Sequence, residues 1–87
     1  MSPYEDKGGD EYKIRTFASD VEEDALIWHR DVNDREITVL EGAGWQLQMD
    51  NELPVELVKG KLYNINSMEY HRIIKGEDSL KIEIWEK

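Results

Sequence analysis

The stretch REITVLE, residues 35–41, alternates polar and apolar side chains in the pattern of a β-strand with one buried face. Successive side chains of a strand point to opposite faces, so Arg35, Ile37 and Val39 share one face. Burying that face removes two β-branched apolar side chains from water, whereas the opposite face carries a glutamate, a threonine and a single leucine. We therefore expect this strand to turn Arg35, Ile37 and Val39 inward.

Short segments of the same kind lie on both sides of this strand. They are YKIRTF (12–17), ALIWHRD (25–31), GWQLQMD (44–50), PVELV (54–58), LYNIN (62–66), EYHRIIK (69–75) and LKIEIWE (80–86). Turn residues separate most of them, and a spacing of roughly 8 to 12 residues between turns is typical of a β-sandwich or barrel. Because an open sheet would leave long exposed edges, we expect an all-β fold that is either a closed barrel or a two-sheet jelly roll.

Composition marks the limits of the folded region. Residues 1–11 are polar and contain a glycine pair, so we expect a disordered or loosely attached arm, followed by a single domain over 12–87. Ser19 and Glu22 have the spacing of a capping box, but no helical periodicity follows, so at most one helical turn is expected there. The chain has no cysteine, which excludes disulfides and thiolate metal ligands.

The charge balance of the chain bears on its partners and location. A formal net charge of −9 argues against a nucleic-acid partner, because phosphate binding needs a clustered basic surface. No apolar run approaches the roughly 18 residues that cross a bilayer, and the start of the chain lacks the apolar core of a signal peptide. We therefore expect a soluble cytoplasmic protein with no membrane partner.

The chain contains two histidines, and their positions suggest a metal site. Strand alternation puts His29 and Asp31 on the same face, and His71 lies on a later strand. If these faces meet inside a barrel, two imidazoles and one carboxylate would hold a divalent metal with open positions, as in non-haem Fe(II) oxygenases; Zn, Mn, Co or Ni would also suit such a set. The alternative is a structural hydrogen bond between a histidine and an aspartate.

The spacing around His71 resembles the second motif of the cupin superfamily, G-x5-P-x-G-x2-H-x3-N. Gly60 and His71 occupy the glycine and histidine places, whereas Asn66, Met68 and Lys75 replace the proline, the inner glycine and the asparagine. The tail YHRIIKGEDSLKIEIWE is similar in layout to the cupin domains of sugar-phosphate isomerases. The resemblance covers residues 25–85 and implies a small double-stranded β-helix, the cupin form of the jelly-roll barrel.

The first cupin motif, H-x-H-x3–4-E-x6-G, is matched in part. His29 and Asp31 stand in the H-x-H places, and the phrase VLEG ending at Gly42 resembles the common V-L-x-G. In metal-binding cupins the motif histidines and the glutamate are ligands, which implies His29, His71 and, by substitution, Asp31. Counting back from Gly42 places Arg35 at the glutamate position, so Glu36 is left as the weaker ligand candidate.

The expected pocket wall comes from three further positions besides Arg35. An inward Arg35 would pair with an aspartate or clamp an anionic ligand. Tyr63 shares the inward face of its strand. For the segment 44–50 two interpretations stay open: Gln46 and Gln48 line the pocket and leave an apolar face for a homodimer contact, or that apolar face forms the core.

These observations predict a metal-binding single-domain cupin that holds a small polar ligand in the barrel. If the protein is an enzyme, a dioxygenase or an isomerase would fit the open metal positions. The alternative is a non-catalytic, metal-free module that binds a sugar or a carboxylate, and a metal-free sugar epimerase with a histidine base lies between the two. The fold alone does not select among these reactions.

Overall fold

A computed structural model describes residues 3–87; Met1 and Ser2, which belong to the arm expected over 1–11, lie outside the described residues. The described chain forms eight strands and one short 3-10 helix. In chain order these are β1 (Glu5–Gly8), β2 (Tyr12–Phe17), the 3-10 helix (Glu23–Ala25), β3 (Arg35–Glu41), β4 (Gln46–Met49), β5 (Val55–Glu56), β6 (Leu62–Ile65), β7 (His71–Ile74) and β8 (Leu80–Glu86).

The strands form two antiparallel sheets that enclose one core. The larger sheet has the order β1-β2-β8-β3-β6, and the smaller has the order β5-β4-β7. Apart from the consecutive pairs β1-β2 and β4-β5, neighbouring strands come from distant parts of the chain, as in a jelly roll. This confirms the predicted all-β barrel. Within residues 3–87 we find no helix with the length and apolar character needed to cross a membrane.

The predicted alternation is realised most fully in the larger sheet. Strands β2, β3 and β8 coincide with the segments read from the sequence. In β3, Ile37 and Val39 are buried, and in β8, Leu80, Ile82 and Ile84 are buried. One face of each strand therefore supplies the core, as expected from the period of two.

The predicted strand over residues 25–31 is wrong for most of its length. The chain forms a 3-10 helix at Glu23–Ala25, and the only strand-like pairing in this segment is a single bridge between His29 and His71. Ser19 does not act as the predicted cap, because the residue that precedes the helix is Glu22 and no side chain caps it. Ile27 remains 65% exposed, so the segment lacks a continuous buried face that would hold a ladder.

The arm that we expected to be disordered or loosely attached contains a strand. Residues Glu5–Gly8 pair with β2 through a tight turn in which Gly8 has a φ of 128° and the amide of Gly9 donates to the carbonyl of Tyr12. The side chains of this strand are exposed, which is why its polar composition resembled a free arm. Backbone hydrogen bonds attach it, and these do not depend on side-chain hydrophobicity.

Strand β4 and the preceding Trp45 present one apolar and one polar face, and the apolar face is the buried one. Trp45 is fully buried and Leu47 is 3% exposed, while Gln46 and Gln48 lie on the outer side. Burying a tryptophan and a leucine removes far more apolar surface from water than burying two amides. The apolar face is thus part of the core, and the reason for expecting a homodimer contact there no longer applies.

Candidate metal centre

The two histidines are brought together by backbone pairing. The amide of His29 donates to the carbonyl of His71 at 3.0 Å, and the amide of His71 donates to the carbonyl of His29 at 2.9 Å. Residues paired in this way direct their side chains to the same face. The imidazole centroids are accordingly 4.3 Å apart.

Asp31 completes a cluster of three potential metal ligands. One donor atom from each of His29, Asp31 and His71 lies within 4.8 Å of the other two. His71 is 2% exposed, and the side chain of Asp31 is 15% exposed. The structure therefore places on the inner face all three side chains that the sequence suggested as ligands.

Hydrogen bonds to the backbone set the tautomer of both histidines. Nδ1 of His29 lies 3.0 Å from the carbonyl oxygen of Ile27, and Nδ1 of His71 lies 2.8 Å from that of Glu69. A carbonyl oxygen only accepts, so each Nδ1 carries the proton and donates it. The Nε2 lone pairs are left free, which is the arrangement that orients histidine ligands in metal sites.

The carboxylate of Asp31 supplies the test of whether a cation fits this cluster. Among residues 3–87, Oδ2 of Asp31 is the one buried side-chain nitrogen or oxygen that makes no hydrogen bond. It lies 3.3 Å from Nε2 of His71, so two lone pairs face each other when that imidazole is neutral. A cation between them would satisfy both atoms, and the donor set therefore fits a metal ion.

Burial keeps His71 in the neutral form that a metal requires. Desolvation lowers the pKa of His71 below its ordinary value of 6.5, and the backbone hydrogen bond to Glu69 opposes part of that shift. Arg35, and His29 when it is protonated, lower the pKa of His71 further, whereas the charge of Asp31 raises it. At neutral pH the imidazole is therefore a lone-pair donor.

Arg35 lies beside the cluster, but its guanidinium is engaged within the protein. Nε of Arg35 donates to Oε1 of Glu86 at 2.5 Å, and Nη1 lies 3.2 Å from Oδ2 of Asp31 without the geometry of a hydrogen bond. The inward direction predicted for Arg35 is confirmed by its 13% side-chain exposure. Glu36 points outward to an ion pair with Lys87, so the structure does not place it among the ligands.

A cavity of about 310 Å³ adjoins the cluster. Its wall includes the three candidate ligands and Arg35, and most of the remainder is apolar. The other residues are Phe17, Leu26, Ile27, Ile37, Ile65, Ile73, Ile82 and Ile84, together with Pro3, Tyr4 and Ala25. The predicted pocket is thus present, but it is not the polar pocket that the sequence suggested.

Three of the predicted wall residues lie away from this cavity. Gln48 accepts from Nε of Arg72 at 2.9 Å on the outer face of the smaller sheet, and Gln46 shares that face. Tyr63 is buried as predicted, but its hydroxyl accepts from the amide of Val58 at 2.7 Å and donates to a neighbouring carbonyl. Its polar atom is therefore used in the framework and does not face a ligand.

Arg15, which was not predicted from the sequence as a site residue, lines the cavity and is 9% exposed. Its guanidinium makes two hydrogen bonds to Asp6, at 2.8 and 2.9 Å, and stacks on the ring of Tyr4 at 3.6 Å. This pairing holds the pKa of Asp6 below its usual value of 3.8. The signal was present in the alternation of β2, because Arg15 shares a face with the buried Phe17.

Solved structures of other proteins share this fold. The DMSP lyase DddQ from Ruegeria pomeroyi DSS-3 has a TM-score of 0.72 at 13% identity, with 91% of this chain aligned to 40% of that one. Fe(II)-HppE with the alternative substrate (S)-1-HPP has a TM-score of 0.67 at 21% identity, with 87% aligned to 41%. A cupin domain from Bordetella pertussis Tohama I has a TM-score of 0.65 at 15% identity, with 100% aligned to 96%.

These similarities show that the chain has the cupin fold, as the sequence resemblance implied. The chain spans about two fifths of the lyase and HppE chains, whereas it matches nearly the whole of the Bordetella domain. No family model matches the sequence, and no curated protein matches it. The fold and the cluster together define a small cupin barrel in which three side chains have the donor atoms and spacing of a divalent metal site.

Proposed function

We propose that this protein is a metal-binding cupin in which His29, Asp31 and His71 hold a divalent metal ion. The observation that carries the proposal is the buried Oδ2 of Asp31, which makes no hydrogen bond and faces the free Nε2 of His71 at 3.3 Å. A purely structural histidine–aspartate pair would place a proton between these atoms, but the neutral imidazole carries its proton on the other nitrogen. The HppE structures, described as Fe(II) and Co(II) forms, support a divalent ion on this fold.

The surrounding residues have defined parts in this proposal. The carbonyls of Ile27 and Glu69 hold the two imidazoles in the ligating tautomer. Arg35 lies beside Asp31 and offsets part of its charge. When bound, the metal would supply a Lewis acid with open positions for an oxygen donor. Those open positions suit the dioxygenase or isomerase chemistry expected from the sequence. The proposed location of the protein is the cytoplasm.

Metal content is the decisive measurement. We expect the protein, stripped with chelator and dialysed against Zn2+, Fe2+, Mn2+, Co2+ or Ni2+, to take up near-stoichiometric metal and to unfold at a higher temperature. An ion present at 100 times its dissociation constant stabilises a folded protein by about 2.7 kcal/mol. Asp31→Asn keeps the shape of the side chain, removes its charge and should lose most of the uptake.

A matched control separates this site from general acidity. Asp50 is exposed, so Asp50→Asn removes the same charge from the surface of the same chain and should leave metal uptake unchanged. Equal uptake by wild type and Asp31→Asn would refute the proposal. Absence of uptake with every one of these ions would do the same and would favour the metal-free binding module.

A further inference from the structure

The cavity beside the metal cluster has two chemically different parts. His71 belongs to β7 of the smaller sheet, and His29 is bridged to it, whereas Arg35, Ile37, Ile65 and Ile82 belong to strands of the larger sheet on the other side of the cavity. The polar groups of the wall are thus confined to the cluster and the neighbouring guanidiniums, and most of the remaining wall is aliphatic. A volume of about 310 Å³ corresponds to roughly ten water molecules, which is enough for a small organic molecule. A wholly polar ligand would leave its hydrogen-bonding groups unpaired against the isoleucines.

The charges around the cavity are not balanced. Its wall carries the guanidiniums of Arg15 and Arg35 and the carboxylate of Asp31. The guanidinium of Arg15 pairs with the carboxylate of Asp6, and that of Arg35 pairs with the carboxylate of Glu86. Two positive and three negative groups leave one net negative charge. Histidines ligate as neutral imidazoles, so a divalent ion would turn this balance into one net positive charge.

A ligand with a single negative charge and an apolar body would neutralise this site. A carboxylate carries one charge at neutral pH, whereas a phosphate monoester carries about 1.5 to 2. A neutral alcohol would leave the positive charge without a partner in a largely apolar cavity. The two guanidiniums are already paired, so the metal is the free positive centre that an anion would approach.

On these grounds, and resting on the proposed metal site, we infer that the ligand is a small aliphatic carboxylate. Its oxygens would complete the metal coordination, and its hydrocarbon part would lie against the isoleucines that line the cavity, Ile73 among them. This specifies the small polar ligand expected from the sequence as an amphipathic anion.

Binding to the full chain loaded with Co2+ tests this inference without any assumption about a reaction. The visible absorption of Co2+ reports metal loading, and its change on titration with pentanoate, acetate or 1-pentanol reports ligand binding. Each methylene buried in an apolar site contributes about a fourfold gain in affinity, so pentanoate should bind roughly 60-fold more tightly than acetate. The alcohol should bind more weakly than pentanoate, because it lacks the charge.

Two positions on one strand provide a matched pair of variants. Ile73 lines the cavity, whereas Ile74 follows it on the opposite face of β7, paired with Gln46. We expect Ile73→Ala to weaken pentanoate binding by at least fourfold with metal loading intact, and Ile74→Ala to change neither. Intact loading also shows that each variant is folded around the site.

The outcomes separate this inference from the proposal on which it rests. Failure of Co2+ and of each of the other four ions to bind would overturn both. Normal loading, with pentanoate no better than acetate or 1-pentanol, would overturn the ligand class and leave the metal site standing. Equal binding of pentanoate to the metal-free and the metal-loaded protein, both measured by calorimetry, would show that the metal does not receive the carboxylate, which also overturns the inference.

Discussion

Replacement of Arg35 by leucine tests the energetic link between the barrel and its candidate site. The guanidinium lies between Glu86 and Asp31, and the three side chains are 13%, 11% and 15% exposed. Removing one member of such a group leaves charge buried without compensation, which costs about 3–5 kcal/mol. At roughly 0.05–0.15 kcal/mol per residue, a chain of this length has a total stability of about 4–13 kcal/mol. Arg35→Leu should therefore remove a large share of it.

Urea unfolding followed by tryptophan fluorescence measures this loss. Glu41 pairs with Lys81 at 4.0 Å and its side chain is 63% exposed, so Glu41→Gln is a surface control expected to change stability by less than about 0.5 kcal/mol. The double variant Arg35→Leu with Glu86→Leu should regain part of the loss, because one of the two stranded carboxylates is removed. If Arg35→Leu unfolds at the same urea concentration as the wild type, the reasoning about buried charge is wrong.

Three further predictions concern the pH dependence of stability, the close packing at Gly76 and the backbone hydrogen bonds of Tyr63. With metal removed, the free energy of unfolding should fall as the pH drops below about 6.5. The cause is that burial lowers the pKa of His71 in the folded protein, so the unfolded chain takes up the proton at a higher pH. Urea titrations at pH 7.5 and 5.5 measure this dependence, and the His71→Gln variant should show a smaller difference between the two. Gly76→Ala should lower the melting temperature sharply, since a Cβ would lie 2.5 Å from the side chain of Trp45, whereas Gly9→Ala, which meets no atom within 4 Å, should not. Tyr63→Phe should cost about 1–3 kcal/mol in chemical unfolding, because its hydroxyl bridges two backbone groups.

The larger sheet was the part of the fold most accessible from sequence. In β3 and β8, alternation is regular and each buried position is aliphatic, so period, direction and burial agree with one another. The predicted strands over 35–41 and 80–86 therefore coincide with those of the structure. Where these signals agreed, the alternation of polar and apolar residues alone was enough to predict the strand and its buried face.

Interactions that leave no hydrophobic pattern were not accessible in this way. Strand β1 is held by backbone pairing and by the bond of Asp6 to Arg15, and its side chains are exposed. The faces of β4 were recognised, but the choice between them depended on whether Trp45 joined the core, which a single strand does not disclose. For Arg15, the alternation of β2 indicates that the side chain points inward, but it does not indicate that the partner is Asp6 on β1.

The convergence of the candidate ligands was predicted correctly in spite of a wrong strand, and the structure explains why. Parity at a single paired position is enough to direct both imidazoles inward, and the bridge between His29 and His71 supplies that position. Asp31 follows two residues later, and its carbonyl accepts from the amide of Met68 at 2.6 Å, which holds the segment at a second point. Few backbone bonds therefore hold the segment that carries two of the three ligands. A metal ion would tie that segment to β7, so the site and the local order of this edge of the barrel should form together.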